Sequence, residues 1–317
     1  FKMTAAGRPQ PLLCNIMAVL EQDPRWKGVL AYNQLLDTLM FLHRPPYDHD
    51  TGTWDARPVL DADYSNTCVW LQLNFDINCQ TSLVKEGMDT SGQHCSFHPI
   101  RNYLNGLVLD KIPLLDGWLF TYCHAEDTPY TRAVGSKTLI GAVARGLHPG
   151  CKMDTVPILE GFQGIGKSET WRVLAGDAWF ADELPNVRDK DAAQALRGKW
   201  LIELGELSAL RHYETNALKS FISRSSDHYR PSYGTVAVDF PRCNIFVGST
   251  NQAMYFDDET GNRRYWPVAL TDECDIDALR RDRDQLWSEA VVRYRAGETW
   301  WLSKDIEKLA GAEQAQR

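Results

Sequence analysis

The residue pattern with the clearest chemistry lies at positions 161–168, where the sequence is Gly-Phe-Gln-Gly-Ile-Gly-Lys-Ser. It fits GxxxxGK[ST], a loop in which backbone N–H groups and a lysine surround the phosphates of a nucleotide. An apolar segment, VPIL, precedes the loop, and SETWRVLAG follows it as a helix-forming segment. Glycines let the backbone close around phosphate oxygens, and a helix N-terminus adds a favourable dipole. The pattern therefore predicts a nucleotide site.

Each role in such a loop falls on a particular residue. Lys167 is predicted to bind the β- and γ-phosphates of ATP, and Ser168 to ligate Mg²⁺. ATP and Mg²⁺ are thus the predicted cofactors. The predicted nucleotide-binding set is the loop with the start of its helix, namely Gly161, Gln163, Gly164, Ile165, Gly166, Lys167, Ser168 and Glu169.

Two carboxylates follow the next apolar segment, KWLIELGEL, at Glu203 and Glu206. A phosphate-binding loop needs acidic groups at a neighbouring strand end, one for the metal shell and one for the attacking water. We place Glu203 with Ser168 at the metal and keep both carboxylates as catalytic candidates, because the sequence does not settle which one polarises water. Surface charge at a strand end is the alternative interpretation.

Polar residues in two later segments complete the predicted catalytic set. A third apolar segment, CNIFVGST, ends at Asn251, whose amide can contact the γ-phosphate or the attacking water. Arg263 and Arg264 follow on a loop, and an arginine supplied in trans stabilises charge on a transferring phosphoryl group. The alternative interpretations are that Asn251 is an ordinary turn residue and that the two arginines are solvated or ion-paired.

Positive charge is concentrated between the second and third apolar segments. Residues 219–242 hold four basic and two acidic side chains, in a chain whose net charge is −8 from 34 Lys and Arg against 42 Asp and Glu. Basic residues interleaved with tyrosines suit a single strand, with charges on its backbone and rings against its bases. The predicted nucleic-acid contacts are Lys219, Arg224, Tyr229 and Arg230. The alternative to a nucleic-acid interface is a hairpin over 233–240 with incidental surface charge.

These residues need a sheet to bring them together. Short apolar runs alternate with helical segments from Asp154 onward, which is typical of βα units and a mostly parallel sheet. The predicted strands are Val156–Leu159, Trp200–Leu204 and Asn244–Ser249. A helix is predicted over 275–294, before a polar tail that frays. Upstream, we predict two helices over 15–42 broken near Asp23–Pro24, a loop over 44–64, and helical segments around 66–88, 98–109 and 135–145.

Composition narrows the class of protein. Because acidic residues outnumber basic ones, a protein that binds duplex DNA through a broadly basic surface is disfavoured. No run approaches the roughly 18 apolar residues of a membrane span. Eight scattered cysteines without a CxxC pair indicate reduced thiols and a cytoplasmic protein. Because the chain opens on Phe rather than Met, we expect it to be a piece of a longer protein.

Several motifs together resemble the virulence-associated protein E family of phage and genomic-island proteins, which is similar to the superfamily-three helicases of viral replication. They are ILEGFQGIGKS, KWLIELGEL, LKSFISRSSDHYRPSYG, DFPR, FVGSTNQ and TGNRRYWPV, with HPIRNYL and PGCKMD upstream. The resemblance covers residues 98–301. It departs from the family pattern where Glu203 and Glu206 are separated by two residues, because many such helicases have adjacent acidic residues.

The resemblance implies an AAA+-like fold, with nucleotide held between the subunits of a hexameric ring and ATP-driven movement along single-stranded DNA. It makes Asn251 the sensor and Arg263 or Arg264 the arginine finger. The basic stretch then lies where these helicases place their strand-contacting element. Other replication proteins of the element become possible partners, and the cytoplasm of a bacterial host the location.

We therefore predict an α/β protein with an AAA+-like P-loop NTPase core and a parallel sheet, preceded by a mainly helical region over 1–97. The ATPase domain spans 98–317, with a helical lead-in over 98–150, a core over 151–270 and a helical part over 271–317. The predicted function is an ATP-hydrolysing, DNA helicase-like motor for replication of a phage or integrated element. The alternatives are a nucleotide-switched DNA-binding or assembly protein with little turnover, and a small-molecule P-loop kinase, which would not need the basic–aromatic hairpin.

Overall fold

A computed structural model describes residues 1–110, 112–187, 189, 192–205, 215–230, 236–251 and 262–315 of the chain. These residues form two compact units, Phe1–Pro99 and Ile100–Arg317.

The first unit combines helices with a small antiparallel sheet. Its elements are α1 (Leu13–Gln22), β1 (Leu30–Asn33), β2 (Thr38–Phe41), β3 (Arg57–Pro58), α2 (Asp61–Phe75) and α3 (Thr81–His94). The strands lie in the order β1-β2-β3. Fully buried Ile16, Phe41, Leu71 and Met88 pack in its core. Helices thus supply most of the regular structure in this unit.

The second helix predicted within residues 15–42 is wrong. The segment is instead the hairpin of β1 and β2, with Leu30 paired to Phe41 and Asn33 to Thr38. The side chain of Asn33 accepts the backbone N–H groups of Leu35 and Leu36 at 3.0 and 3.1 Å. A local hydrogen bond of this kind favours a turn over a helix.

The second unit begins with helices and continues as alternating strands and helices. The helices are α4 (Pro99–Gly106), α5 (Trp118–Cys123), α6 (Pro129–Leu147), α7 (Lys167–Ala175), α8 (Ala192–Ala195), α9 (Thr215–Ile222), α10 (Ile276–Arg295) and α11 (Lys304–Gln314). The strands are β4 (Val156–Glu160), β5 (Phe180–Ala181), β6 (Leu201–Leu204), β7 (Ser226–Tyr229), β8 (Val238–Pro241), β9 (Ile245–Thr250) and β10 (Tyr265–Ala269).

Five of these strands form a parallel sheet in the order β10-β4-β9-β6-β5. The three predicted strands are confirmed as β4, β6 and β9, and the predicted α/β core with a parallel sheet is confirmed with them. Strand β9 lies between β4 and β6, so it separates the strand that leads into the glycine-rich loop from the strand that carries Glu203.

Helices cover both faces of the sheet. Helix α7 packs on the face that carries Glu203, where the Trp171 indole donates to the carbonyl of Gly248 at 3.1 Å. On the other face, apolar side chains of β4, β6 and β9 form one buried cluster with those of α8 and α9. Burial on both faces is the usual condition of a parallel sheet and explains its apolar strands.

The predicted helix over 275–294 is confirmed as α10, but the polar tail does not fray at once. It forms α11, where the Ser303 hydroxyl caps the first turn through Ile306 and Ala310 is buried. The Gln314 amide donates to the carbonyl of Tyr265 at 2.6 Å. The capped first turn, buried Ala310 and the contact of Gln314 with β10 hold a helix whose composition is mostly polar.

The predicted hairpin begins earlier than expected. Strands β7 and β8 pair antiparallel from Ser226–Pro241 to Tyr229–Val238, and positions 231–235, which include Gly234, lie outside the described residues.

Candidate nucleotide-binding site

The candidate site forms where three parallel strands end. Strand β4 ends at Glu160 and continues into the glycine-rich loop, β6 carries Glu203, and β9 is followed by Asn251. In the sheet, Glu160 lies beside Thr250 and Glu203 lies beside Val247. Since parallel strands end at one edge of a sheet, residues far apart in sequence meet there.

The first and last glycines of the loop show why it needs this residue type. Gly161 has a φ of 152°, and a Cβ there would lie 2.6 Å from the Ile165 side chain. Gly166 has a φ of 90° and precedes the first turn of α7. Both conformations are costly for other residues. The loop therefore turns sharply and leaves Lys167 and Ser168 on the first turn of a helix.

The ammonium group of Lys167 is fully engaged. It donates to the carbonyls of Gly161 and Phe162 at 2.8 and 2.6 Å, and to the side-chain oxygen of Asn251 at 2.8 Å. Three acceptors use the three donors of an ammonium group. Burial lowers the pKa of Lys167 from its ordinary value. The lysine thus links the loop to the end of β9.

Ser168 and Glu203 are also in direct contact. The Ser168 hydroxyl donates to Oε1 of Glu203 at 2.7 Å, and the Ser249 hydroxyl donates to the same oxygen at 2.5 Å. The two hydroxyl oxygens are 3.2 Å apart. Glu203 is only 2% exposed, so these hydroxyl donors compensate a buried carboxylate.

The donor set of Ser168 and Glu203 fits Mg²⁺. Both supply hard oxygen atoms, and Mg²⁺ is usually held by one or two protein groups together with phosphates and water. Within the described ranges, no group of three or more His, Cys, Asp and Glu side chains is arranged to hold a metal alone.

A cavity of about 650 Å³ opens above these groups. This volume lies within the range of small-molecule sites in proteins. Gln163, Gly164, Gly166 and Lys167–Glu169 of the predicted set line it, together with Glu203 and Asn251. The structure thus brings the loop, one predicted carboxylate and the predicted sensor to one cavity.

Five lining residues were not predicted from the sequence: Arg172, Asp182, Gly205, Ser249 and Thr250. A usable signal existed for Ser249, because alternate residues of a strand share a face and Ser249 stands two before Asn251. Asp182 follows β5, which has only two residues, too few to show a strand pattern. Its carboxylate accepts from Arg172 at 3.0 Å at the edge of the cavity.

Arg263 and Arg264 lie at the amino ends of the parallel strands, whereas the glycine-rich loop lies at their carboxyl ends. They precede β10, which pairs in parallel with β4 from Tyr265 opposite Val156. The strand length, five residues at about 3.3 Å each, separates them from the loop by about 16 Å along the strands. They line another cavity, of about 360 Å³, with Lys152 and Trp301. Within one chain they do not reach the glycine-rich loop.

The basic side chains of residues 219–242 divide between surface and interior. Arg224 and Arg230 are exposed, whereas Lys219 is 8% and Arg242 is 3% exposed. Arg242 forms a bidentate ion pair with Asp227, with both distances 2.7 Å. The local excess of positive charge is therefore only partly available to a ligand.

The ring of Tyr229 packs within the hairpin. Its centroid lies 4.7 Å from that of Phe240, with an angle of 32° between the ring planes. The Arg197 guanidinium lies over the Phe240 ring at 3.9 Å. Stacking on these neighbours occupies part of the ring surface that a nucleic-acid base would use.

One predicted site residue, Glu206, lies outside the described residues. All eight cysteines are described, and each is a free thiol. Across the described part of the chain, no helix combines the length and apolar character needed to cross a bilayer.

The chain was compared with families and curated proteins. A family model described as the virulence-associated protein E-like domain matches residues 104–317. The match confirms the resemblance seen in the motifs and extends to the end of the chain. No curated protein matches the chain.

The fold is also found among solved structures. The apo structure of the NrS-1 C-terminal region (305–718) matches with a TM-score of 0.52 at 12% identity, covering 94% of this chain and 76% of that one. An A-form apo structure of the same region gives a TM-score of 0.49 at 11% identity, covering 96% and 75%. The first of these likenesses shows a shared fold.

Proposed function

The chain belongs to the virulence-associated protein E-like family, and from that premise we propose that it is an ATP-hydrolysing, DNA helicase-like motor. Its task would be the replication of a phage or integrated mobile element. Family membership and the likeness of fold support the replication setting. The chemistry of the site supports the use of ATP.

One observation carries the proposal. Lys167, the Ser168–Glu203 pair and Asn251 come from three separate segments and converge on one cavity. A turn whose only role is to cap a helix would not need a buried carboxylate that accepts a hydrogen bond from the serine, or an amide oxygen that accepts one from the lysine. Phosphoryl transfer has a use for both groups, because it depends on positioning and charge stabilisation.

The proposed roles follow from these contacts. Lys167 would exchange its carbonyl and amide acceptors for the β- and γ-phosphates. Ser168 and Glu203 would hold Mg²⁺, which when bound neutralises charge on those phosphates. Asn251, released from the lysine, would contact the γ-phosphate or the attacking water.

The two predicted carboxylates receive different roles in this proposal. Glu203 is buried and accepts two hydroxyl protons on one oxygen. Such an acceptor suits the orientation of a metal shell better than the removal of a proton from water. We assign the activation of water to Glu206, which follows the same strand.

The arginine pair and the exposed cations suggest partners. The position of Arg263 and Arg264 at the amino ends of the strands suits an arginine finger given to the site of a neighbouring copy, as in a hexameric ring. We narrow the proposed contact with single-stranded DNA to Arg224 and Arg230, because Lys219 is buried and Tyr229 is stacked.

A second function is favoured by a specific observation. Glu203, the predicted carboxylate that contacts the loop, is committed to two serines. If no other base acts, the protein would bind ATP and switch its affinity for DNA with little turnover.

The test is ATP hydrolysis by the intact protein with and without single-stranded DNA, for the wild type, Lys167→Ala and Lys27→Ala. Lys27 is an exposed lysine that lines neither cavity and serves as the matched control. The motor predicts hydrolysis stimulated by DNA, lost about 100-fold or more in Lys167→Ala, and kept in Lys27→Ala. Absent hydrolysis in the wild type, or unchanged hydrolysis in Lys167→Ala, rejects the motor. Nucleotide-dependent DNA affinity without turnover selects the switch.

The solution mass with ATP, Mg²⁺ and a single-stranded oligonucleotide tests the ring. A nucleotide-induced hexamer supports the role of Arg263 and Arg264 in trans, and a persistent monomer rejects it.

A further inference from the structure

The Ser249 hydroxyl lies in the candidate site without belonging to its recognised motif. It comes from β9, 81 residues after Ser168, and lines the same cavity. A serine at this position could serve merely to satisfy the buried carboxylate of Glu203. The geometry of its oxygen indicates more than that.

The protons of the two hydroxyls can be assigned. A serine hydroxyl has one proton and two lone pairs. Both hydroxyl oxygens lie within hydrogen-bond distance of Oε1 of Glu203, at 2.7 Å for Ser168 and 2.5 Å for Ser249. An ionised carboxylate is a stronger acceptor than a neutral hydroxyl. Each serine therefore gives its proton to Glu203 and retains lone pairs for another partner.

The spacing of the two hydroxyl oxygens suits one kind of partner. They are 3.2 Å apart. In an octahedral Mg²⁺ shell with bonds of about 2.1 Å, adjacent ligands lie about 3.0 Å apart. Two neutral oxygens with their protons turned onto a common carboxylate thus match adjacent corners of such a shell.

We infer that Ser249 supplies a second hydroxyl oxygen to the Mg²⁺ shell beside Ser168, with Glu203 holding both hydroxyl protons. This inference rests on the proposed function, because it presupposes a metal–nucleotide complex in the cavity. It differs from a role in which Ser249 only orients Glu203, because a ligand changes which metal is preferred.

The experiment measures equilibrium binding of a fluorescent, non-hydrolysable ATP analogue to the intact protein without metal, with Mg²⁺ and with Mn²⁺. The variants are Ser249→Ala, Ser249→Thr and Ser249→Cys, with Ser223→Cys as a control outside the cavity. Ser249→Thr keeps the hydroxyl. Ser249→Cys replaces the oxygen by sulfur, which binds transition metals better than it binds Mg²⁺.

In the wild type, Mg²⁺ raises the affinity for the analogue. If Ser249 is a ligand, this gain is about tenfold smaller in Ser249→Ala and Ser249→Cys, whereas Ser249→Thr keeps most of it. Mn²⁺ restores the gain in Ser249→Cys and not in Ser249→Ala. Ser249→Ala lowers the melting temperature, because the buried Glu203 carboxylate loses one of its two hydroxyl donors. A single cooperative melting transition and wild-type affinity for the analogue without metal show that the variants fold.

Two results overturn the inference while the proposed function stands. In one, Ser249→Ala keeps the full effect of Mg²⁺. In the other, Ser249→Cys responds to Mn²⁺ as Ser249→Ala does, so that Ser249 acts only through Glu203. If the wild type binds the analogue equally well with and without metal, the proposed function fails, and this inference fails with it.

Discussion

The ammonium of Lys167 donates a hydrogen bond of 2.8 Å to the side-chain oxygen of Asn251, 84 residues later in the chain. The lysine of the glycine-rich loop is thereby tied to the strand end that is predicted to sense the nucleotide. A phosphate that binds Lys167 has to compete with this amide. The contact couples occupation of the loop to the position of Asn251.

Replacing Asn251 by Asp tests this coupling. The substitution puts a carboxylate beside Lys167 and beside the expected γ-phosphate. We expect ATP affinity to fall at least tenfold, equivalent to about 1.4 kcal/mol, because the carboxylate competes for the lysine and repels the phosphate. The melting temperature without nucleotide should not fall, since the lysine gains an ion pair. Titration with a fluorescent ATP analogue and thermal melting measure the two effects, and wild-type affinity in Asn251→Asp would contradict the coupling.

The buried pair of Arg242 and Asp227 should matter for stability. Arg242→Ala leaves the Asp227 carboxylate, in a residue that is 6% exposed, without its guanidinium partner. Breaking such a pair costs about 3–5 kcal/mol in the free energy of unfolding. Arg230→Ala, an exposed arginine beyond β7, should cost less than about 0.5 kcal/mol. Urea denaturation of both variants gives the comparison, and equal losses in the free energy of unfolding would contradict a stabilising role for the Arg242–Asp227 pair.

Local patterns predicted the sheet and the loop well. The strands β4, β6 and β9 are continuous apolar runs, and the loop is marked by glycines whose φ angles are positive. Parallel pairing then brings Glu203 and Asn251 to the loop without further information. These features depend on a few consecutive residues and on one topological rule.

Features that depend on distant partners were not predicted. Lys219 and Arg242 are as polar in sequence as Arg224, yet they are buried, and contacts with Asp227 and Phe221 explain the burial of Arg242. The hairpin of β1 and β2 was missed because leucines at 35, 36 and 39 also fit a helix. There the Asn33 side chain decides the turn.

The exposed pair Arg224 and Arg230 should determine the salt dependence of binding to single-stranded DNA. Each phosphate contact contributes about 0.7 to the slope of log affinity against log salt for single strands. The double variant Arg224→Ala/Arg230→Ala should therefore lower the magnitude of the slope by about 1.4. Lys219→Met, at a buried position, should leave the slope nearly unchanged. Fluorescence anisotropy with an oligonucleotide at several salt concentrations measures both. A larger change for Lys219→Met than for the double variant would move the interface to α9.

The carboxylate of Glu298 should make the stability of the protein depend on pH. Hydrogen bonds from Arg293 at 2.7 and 2.9 Å and from Lys137 at 2.7 Å hold it charged, and they lower its pKa from 4.5 to about 2, with Arg293 the main cause. The folded state thus keeps the carboxylate ionised where the unfolded chain takes up a proton. The stabilisation is complete above pH 4.5 and is lost as pH falls towards 2.

We expect Glu298→Gln to lower the free energy of unfolding at pH 7 by about 2 kcal/mol, allowing for solvent screening of a side chain that is 28% exposed. Urea denaturation between pH 7 and pH 3 should show this difference shrinking below pH 4.5, whereas Glu307→Gln, on the exposed face of α11, should show little difference at any pH. A difference between Glu298→Gln and wild type that stays constant down to pH 3 would mean that the arginine and lysine contacts do not depend on the charge of Glu298.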